Sequence, residues 1–231
     1  MIIAIDGPAG AGKSTVASRV AEALGIAFLD TGAMYRAVTL TALERGIHPS
    51  DAEACGRVAA ELDLSFDASG RILIEGVPGE PDIRSRTVTL NVSAVSAHPE
   101  VRIAVVARQR ELAERLPGVV AEGRDTTTVV FPAADHKFFL SASPEERARR
   151  RTRQEGREQE PGAFESNLAD IQRRDRLDAT RAHSPLVQAE DAVHVNADRR
   201  TADEVVELIL AEVRNKDATG VQGGSHQGGK P

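Results

Sequence analysis

A short apolar run, Met1-Ile2-Ile3-Ala4-Ile5-Asp6, is followed at once by Gly7-Pro8-Ala9-Gly10-Ala11-Gly12-Lys13-Ser14-Thr15. The second stretch fits G-x-x-x-x-G-K-[ST], and no other part of the chain limits the fold as tightly. Glycines let backbone N–H groups turn inward around phosphate oxygens. A helix starting at the end of such a loop adds its positive pole. Lys13 supplies a mobile charge for the β- and γ-phosphates, and the Ser14 hydroxyl is a ligand for Mg²⁺. Gly7 to Thr15 are therefore the candidate donor cradle, and the donor is a nucleoside triphosphate. The cradle alone does not separate a switch, a motor and a kinase.

The rest of the chain follows the same alternation. Apolar runs at 27–29, 119–121, 138–140 and 192–195 read as further buried strands. Helical spacing covers 14–24, with Gly25 as the C-terminal cap, and also 101–115 and 144–153. A last amphipathic helix at 201–214 is expected to place Val205, Leu208, Ile209 and Val213 on one face. Strands alternating with helices predict an α/β fold with a parallel sheet covered on both sides. Residues 64–85 break the pattern and read as a small antiparallel insert. Residues 217–231 are Gly-rich and nearly free of apolar side chains, so disorder is expected there.

Composition narrows the function. The 231 residues are 41 % hydrophobic, enough for one sizeable core with small lobes. A net charge of −6, 3 % aromatic residues and no Trp argue against nucleic-acid binding. Cys55 stands alone, which excludes an internal disulfide. No segment reaches the length of a membrane span and no signal peptide is evident, so a soluble cytoplasmic protein is expected.

A kinase acting on a phosphorylated acceptor needs a second cationic cluster, because two anions must approach each other. Arginines recur at four stations. The first, Asp30-Thr31-Gly32-Ala33-Met34-Tyr35-Arg36, opens a helix after the second strand. The second, Glu122-Gly123-Arg124-Asp125, ends a strand, where ligands of such sheets bind. Glu122 is suited to support Mg²⁺ through water, and Arg124 to hold an acceptor phosphate. The third, Arg147-Ala148-Arg149-Arg150-Arg151-Thr152-Arg153, is either a solvated basic face or a lid that closes over the triphosphate. The fourth carries Arg174, Asp178 and Arg181 at i, i+4 and i+7, on one helical face; by spacing alone a structural ion-pair ladder is a better reading than a binding face.

Taken in order, GPAGAGKST, LDTGAMYR, VSAVSAHPEVR, EGRDTTTVVFP, KFFLSASPEERARRR and RRDRLDATRAHSPL resemble the bacterial cytidylate kinases, within the nucleoside monophosphate kinase group of P-loop kinases. The resemblance runs from residue 1 to about 214. It implies a core around a five-stranded parallel sheet within residues 1–216, an acceptor lobe at about 31–100 that includes the insert, and a lid at about 147–160. It implies transfer of the ATP γ-phosphate to CMP or dCMP with Mg²⁺, by a monomer. Catalysis would fall to Lys13, Arg124, Arg150, Arg151 and Arg174. Arg147 would join the cradle in holding ATP. Thr31, Arg36 and Arg124 would meet the CMP phosphate, with Gly32, Tyr35 and Gly123 in the same pocket. Ser93, Arg102 and Asp125 would read the cytosine. Arg174, Asp178 and Arg181 would meet the sugar and the rest of the nucleotide.

The chemistry fits independently. Cytosine presents an exocyclic amine that a carboxylate accepts, where uracil presents an oxygen. One position departs from the family pattern: Thr127 stands where Gly is usual. Either the turn differs there, or Thr126 to Thr128 add hydroxyl contacts. A kinase for AMP, UMP or a small metabolite is the nearest rival. A GTPase switch would need a guanine-reading N-K-x-D stretch, which this sequence lacks.

Overall fold

A computed structural model describes residues 1–67 and 69–222. Strand β1 (Ile2–Asp6) runs through the cradle into helix α1 (Lys13–Leu24), and β2 (Ala27–Asp30) passes directly into α2 (Thr31–Glu44). Then come α3 (Ala52–Glu61), the short strands β3 (Leu64–Phe66), β4 (Ile72–Ile74) and β5 (Val77–Pro78), and a 3₁₀ turn at Asp82–Arg84. Helices α4 (Arg86–Val95) and α5 (Pro99–Glu114) lead to β6 (Val119–Gly123), which ends in a π-helical turn at Thr126–Val130. The chain finishes with β7 (His136–Ser141), α6 (Pro144–Gln154), α7 (Ala163–Thr180), β8 (Val193–Asn196) and α8 (Ala202–Gln222).

Five parallel strands form the main sheet in the order β2-β6-β1-β7-β8. Every residue of β6 is buried, as expected where helices cover both faces. Ile3, Ile5, Val120, Phe138 and Leu140 pack against α1 and α8 on one face. Val119, Ala121 and Leu29 meet Val106 and Ala113 of α5 on the other. The register sets Asp6 beside Gly123 and Asp30 beside Glu122. Three adjacent strands thus deliver the cradle, Thr31 and the 123–125 turn to one edge of the sheet. That edge is where open α/β sheets hold their ligands.

The insert is a separate antiparallel sheet, β3-β4-β5. It belongs to a second apolar cluster with α2, α3, α4 and the start of α5, around Met34, Val58, Leu64, Ile72, Ile83, Val95 and Val101. Helices α3 and α4 were not legible as periodic segments. The α3 sequence Ala-Glu-Ala-Cys-Gly-Arg-Val-Ala-Ala-Glu is mostly small residues, and its start is marked only by Asp51, whose carboxylate accepts from Ala54 N at 2.9 Å.

Two expectations change at the C-terminus. In α8, Val205, Ile209 and Val213 are buried with Val206 and Leu210, but Leu208 is 46 % exposed and lies off that face. The same helix continues to Gln222, past the expected boundary at 216. The remainder of the expected tail, 223–231, lies outside the described residues. No described helix is long and apolar enough to cross a membrane.

Candidate active site

The cradle turns tightly between β1 and α1. Gly10 and Gly12 have φ of 77° and 95°, a conformation that side-chain-bearing residues rarely adopt. Lys13 is 5 % exposed; its Nζ donates to Pro8 O at 3.0 Å and lies 3.8 Å from a Glu122 oxygen. Ser14 Oγ donates to Glu122 Oε1 at 2.8 Å. Burial, and then repulsion from Arg124, lowers the Lys13 pKa to about 8 against the pull of Glu122 and Asp6. Burial, and then the neighbouring Asp30, pushes Glu122 up.

A cavity of about 670 Å³ opens from this cradle. Ala9, Gly10, Gly12, Lys13, Ser14 and Thr15 form one end. Thr31, Gly32, Tyr35 and Arg36 of α2, with Ser93 of α4 and Arg102 of α5, form the facing wall. Glu122, Gly123, Arg124 and Asp125 line the floor at the end of β6. Arg150 and Arg151 of α6, Arg174 and Asp178 of α7, and Arg181 complete the ring. The four arginine stations therefore meet around a single space.

The guanidinium groups are crowded, and several lack full partners. Arg36 donates to Ile83 O and Thr89 Oγ1, both at 3.0 Å, and touches no carboxylate. Burial, then Arg84, lowers it to about 10. Burial, then Arg124 and Arg36, lowers Arg174 to about 10. Among the described residues, Arg174 Nε, Arg181 Nη2 and the Tyr35 hydroxyl have no hydrogen-bond partner. Such mutual repulsion favours uptake of an anion into the ring.

Arg124 Nε donates to Asp178 Oδ2 at 2.9 Å, an ion pair between the end of β6 and α7. The fourth station is thus no ladder along its own helix. Arg181 also lies just past the end of α7, so the three residues do not share one helical face, although all three reach the cavity.

Asp125 is 4 % exposed and hydrogen-bonded to Arg102 Nη2, while Arg181 Nη2 lies 3.8 Å away. Burial raises the Asp125 pKa against the opposing pull of both arginines. Arg102 itself is fixed by Ser96 O at 3.2 Å and Ser184 Oγ at 3.0 Å, and sits 5.3 Å over the Tyr35 ring.

Some expected ligands stand elsewhere. Gly7, Pro8 and Ala11 shape the cradle without lining the cavity. Arg147 lies beneath it, 3 % exposed. It donates to Ala9 O at 3.0 Å and Ala142 O at 2.9 Å, and forks onto Asp175 at 2.9 and 2.6 Å. Four of its five N–H donors are spent on the protein, so it braces the cradle against α7 rather than facing the donor. The arginine run of α6 divides by helical position. Arg150 and Arg151 face the cavity, whereas Arg149 and Arg153 have side chains 59 % and 72 % exposed and pair with Glu146 and Glu158. For those two, the plain reading of a solvated basic face holds.

Thr127 shows no positive φ. Its N and Oγ1 both donate to Asp6 Oδ2, at 2.7 and 2.6 Å. Of the two alternatives, the hydroxyl contacts exist for Thr126 and Thr127, whereas the buried Thr128 Oγ1 finds no hydrogen-bond partner among the described residues. Sequence reasoning missed Arg84, Thr89, Ser96, Gln154 and Glu155, which also line the cavity. Arg84 donates to Asp30 Oδ2 at 3.1 Å. Its only sequence signal was an arginine just past the Pro/Gly-rich end of the insert.

A P-loop beside a cationic, carboxylate-floored pocket on a parallel sheet defines a phosphotransferase of the nucleotide-kinase type. Residues 3–215 match the family model "Cytidylate kinase", and the chain belongs to that family. The cytidylate kinase of Nocardia farcinica is 46 % identical over 223 residues, covering 95 % of this chain and 96 % of its own. That of Mycolicibacterium paratuberculosis is 47 % identical over 219 residues, covering 94 % and 96 %. That of a Geobacter species is 43 % identical over 226 residues, covering 96 % and 97 %. Among solved structures, a shikimate kinase from Acinetobacter baumannii in complex with shikimate aligns over 93 % of each chain at 19 % identity, with a TM-score of 0.44.

Proposed function

We propose that the chain phosphorylates CMP and dCMP from ATP by direct in-line transfer, with the residues around the cavity divided between the two nucleotides. The carrying observation is that one cavity joins the glycine cradle to a ring of incompletely paired arginines with a buried Asp on its floor. ATP phosphates lie on the backbone N–H groups of Gly10 to Thr15, with Lys13 at the β- and γ-phosphates. Thr31, Arg36 and Arg124 hold the CMP phosphate, and Arg174, Asp178 and Arg181 the sugar side. Asp125, oriented by Arg102, accepts the cytosine amine, and Ser93 faces the base from α4.

The acceptor phosphate oxygen is a nucleophile at neutral pH, so no general base is needed. Rate enhancement then comes from alignment and from cationic groups around the transferring phosphoryl: Lys13, Arg124, Arg174 and, from the lid at about 147–160, Arg150 and Arg151. Glu155 accepts from Arg151 Nε at 3.1 Å, whereas Arg150 donates to Glu146 Oε1 at 3.1 Å, to Ala11 O at 3.3 Å and to Ala197 O, so Arg150 is the one that must exchange partners to reach the triphosphate.

The donor set fits Mg²⁺. Ser14 Oγ and Glu122 Oε1 are both oxygens, 2.8 Å apart at the mouth of the cradle. Mg²⁺ takes few protein ligands beside phosphates and water. Ser14 would hold it directly and Glu122 through water; when bound, it neutralises charge on the β- and γ-phosphates. We further propose that it works as a cytoplasmic monomer; the net charge of −6 argues against nucleic acid as a partner.

A coupled ADP-release assay across CMP, dCMP, UMP and AMP tests the acceptor assignment. CMP and dCMP should turn over well above the other two. Equal rates for UMP would remove the assigned role of Asp125.

A further inference from the structure

Asp6 closes β1 and is completely buried. Its carboxylate receives four donors from two consecutive residues. Oδ1 accepts from Thr126 N at 2.8 Å and Thr126 Oγ1 at 2.7 Å. Oδ2 accepts from Thr127 N at 2.7 Å and Thr127 Oγ1 at 2.6 Å. A carboxylate offers about four lone-pair sites, so this one is saturated. None of the three residues lines the cavity, and none has a part in the reaction as described above.

Their position gives them one. Asp6 directly precedes Gly7, the first residue of the cradle, and Thr126 directly follows Asp125. The carboxylate therefore ties the start of the donor loop to the residue after the base-reading acid. The same turn is held from its far side, where Val129 N and Val130 N donate to Asp125 O at 2.9 and 3.1 Å. Packing closes the remaining gap. A Cβ on Gly123 would lie 2.7 Å from the Thr126 methyl and 2.5 Å from Thr31 Oγ1. Thr31 Oγ1 in turn donates to Glu122 O at 2.6 Å. Thr126 thus bonds Asp6 with its hydroxyl and fills the space over Gly123 with its methyl.

We propose that Asp6, Thr126 and Thr127 form a positioning clamp that fixes Asp125 relative to the cradle and thereby sets the preference for a cytosine-bearing over a uracil-bearing acceptor. It rests on the assignment of Asp125 as the acid that reads the base. Cytosine and uracil have nearly the same size, so shape cannot separate them. Discrimination depends on whether a fixed acceptor meets a donor or another acceptor. A carboxylate free to swing by an ångström admits a bridging water and tolerates either base. Arg102 and Arg181 hold the Asp125 side chain; the clamp holds its backbone.

The test compares Thr127→Val, which removes the hydroxyl at nearly constant volume, with Thr127→Ser, which keeps it. Steady-state constants are measured for CMP, UMP and ATP, together with the melting temperature. Thr127→Val should lower the ratio of kcat/KM for CMP over UMP about tenfold, the usual consequence of losing one hydrogen bond to a buried charge. The loss should appear mainly in KM for CMP, with KM for ATP unchanged, and Thr127→Ser should restore the ratio. Thr126→Val, which removes the other hydroxyl bond to Asp6 and keeps a methyl over Gly123, is a second variant should the Thr127 valine form fail to fold; it should lower the ratio as well, and a ratio left at the wild-type value would overturn the clamp. A lowered melting temperature with an unchanged CMP-to-UMP ratio in Thr127→Val would overturn the clamp. So would a parallel loss for CMP, UMP and ATP. A wild-type enzyme that does not distinguish CMP from UMP would instead overturn the role of Asp125, and the clamp with it.

Discussion

On the proposed division of the cavity, its donor end is made by residues within one short stretch, Ala9 to Thr15, largely through backbone geometry. The acceptor end draws single side chains from far apart: Thr31 and Arg36 from α2, Ser93 from α4, Arg102 from α5, Arg124 and Asp125 after β6, Arg174 and Asp178 from α7. The first is a local object that any strand–loop–helix with those glycines can form. The second exists only when five segments are packed together. The cradle therefore leans on few remote contacts, chiefly the Arg147 bond to Ala9 O, whereas acceptor selection is exposed to every contact that positions those segments.

The sharpest way to test that contrast is to remove the one charged side chain the cradle contributes. Lys13→Ala should cut turnover about 10³-fold, the scale of losing a preorganised charge at a transition state, while CMP binding by calorimetry changes little. Turnover within tenfold of wild type would break the assignment of the cradle as the donor end. Asp125→Ala should act in the opposite sense. It should cost about 10² in the CMP-to-UMP ratio and leave ATP binding intact. Equal losses for both acceptors would show that the floor carboxylate holds the pocket together without reading the base.

The smallest effect is protonic. Burial lowers the Lys13 pKa from its ordinary 10.5 to about 8. Folding then releases a proton between those values, so this group favours the fold increasingly as pH rises across that window. Bound triphosphate reverses the sign, because its charge holds Lys13 protonated. ATP binding at pH 9 should therefore take up a fraction of a proton, and apparent ATP affinity should fall as pH climbs above about 8. Calorimetry in buffers of different ionisation heat measures the uptake, and Lys13→Met should abolish it. CMP binding should take up much less, because Arg36 and Arg174 at its end are lowered only to about 10 and stay mostly protonated at pH 9.

The two ends also differ in how far they could be read in advance. The cradle motif, the strand before it and the helix after it were legible because each signal is local. The arginine stations were legible as positions but not as roles. Arg147, Arg149, Arg150, Arg151 and Arg153 look alike in sequence, yet one braces the cradle from beneath, two face the cavity and two pair with surface glutamates. Helix phase and the packing of α6 on α7 made that division. Arg84 was missed because nothing in its own neighbourhood points to Asp30, 54 positions away.

From the chain alone came the P-loop, the doubly covered parallel sheet, the small antiparallel insert and the resemblance to cytidylate kinases, because glycine geometry and apolar periodicity act over a few residues. Folding in three dimensions decided which arginines keep free donors, which acid they surround, and that Thr126 and Thr127 spend their hydroxyls on Asp6. Those outcomes depend on distances between groups remote in sequence, and on loss of water around charges. Neither is fixed until β1, β2 and β6 lie side by side.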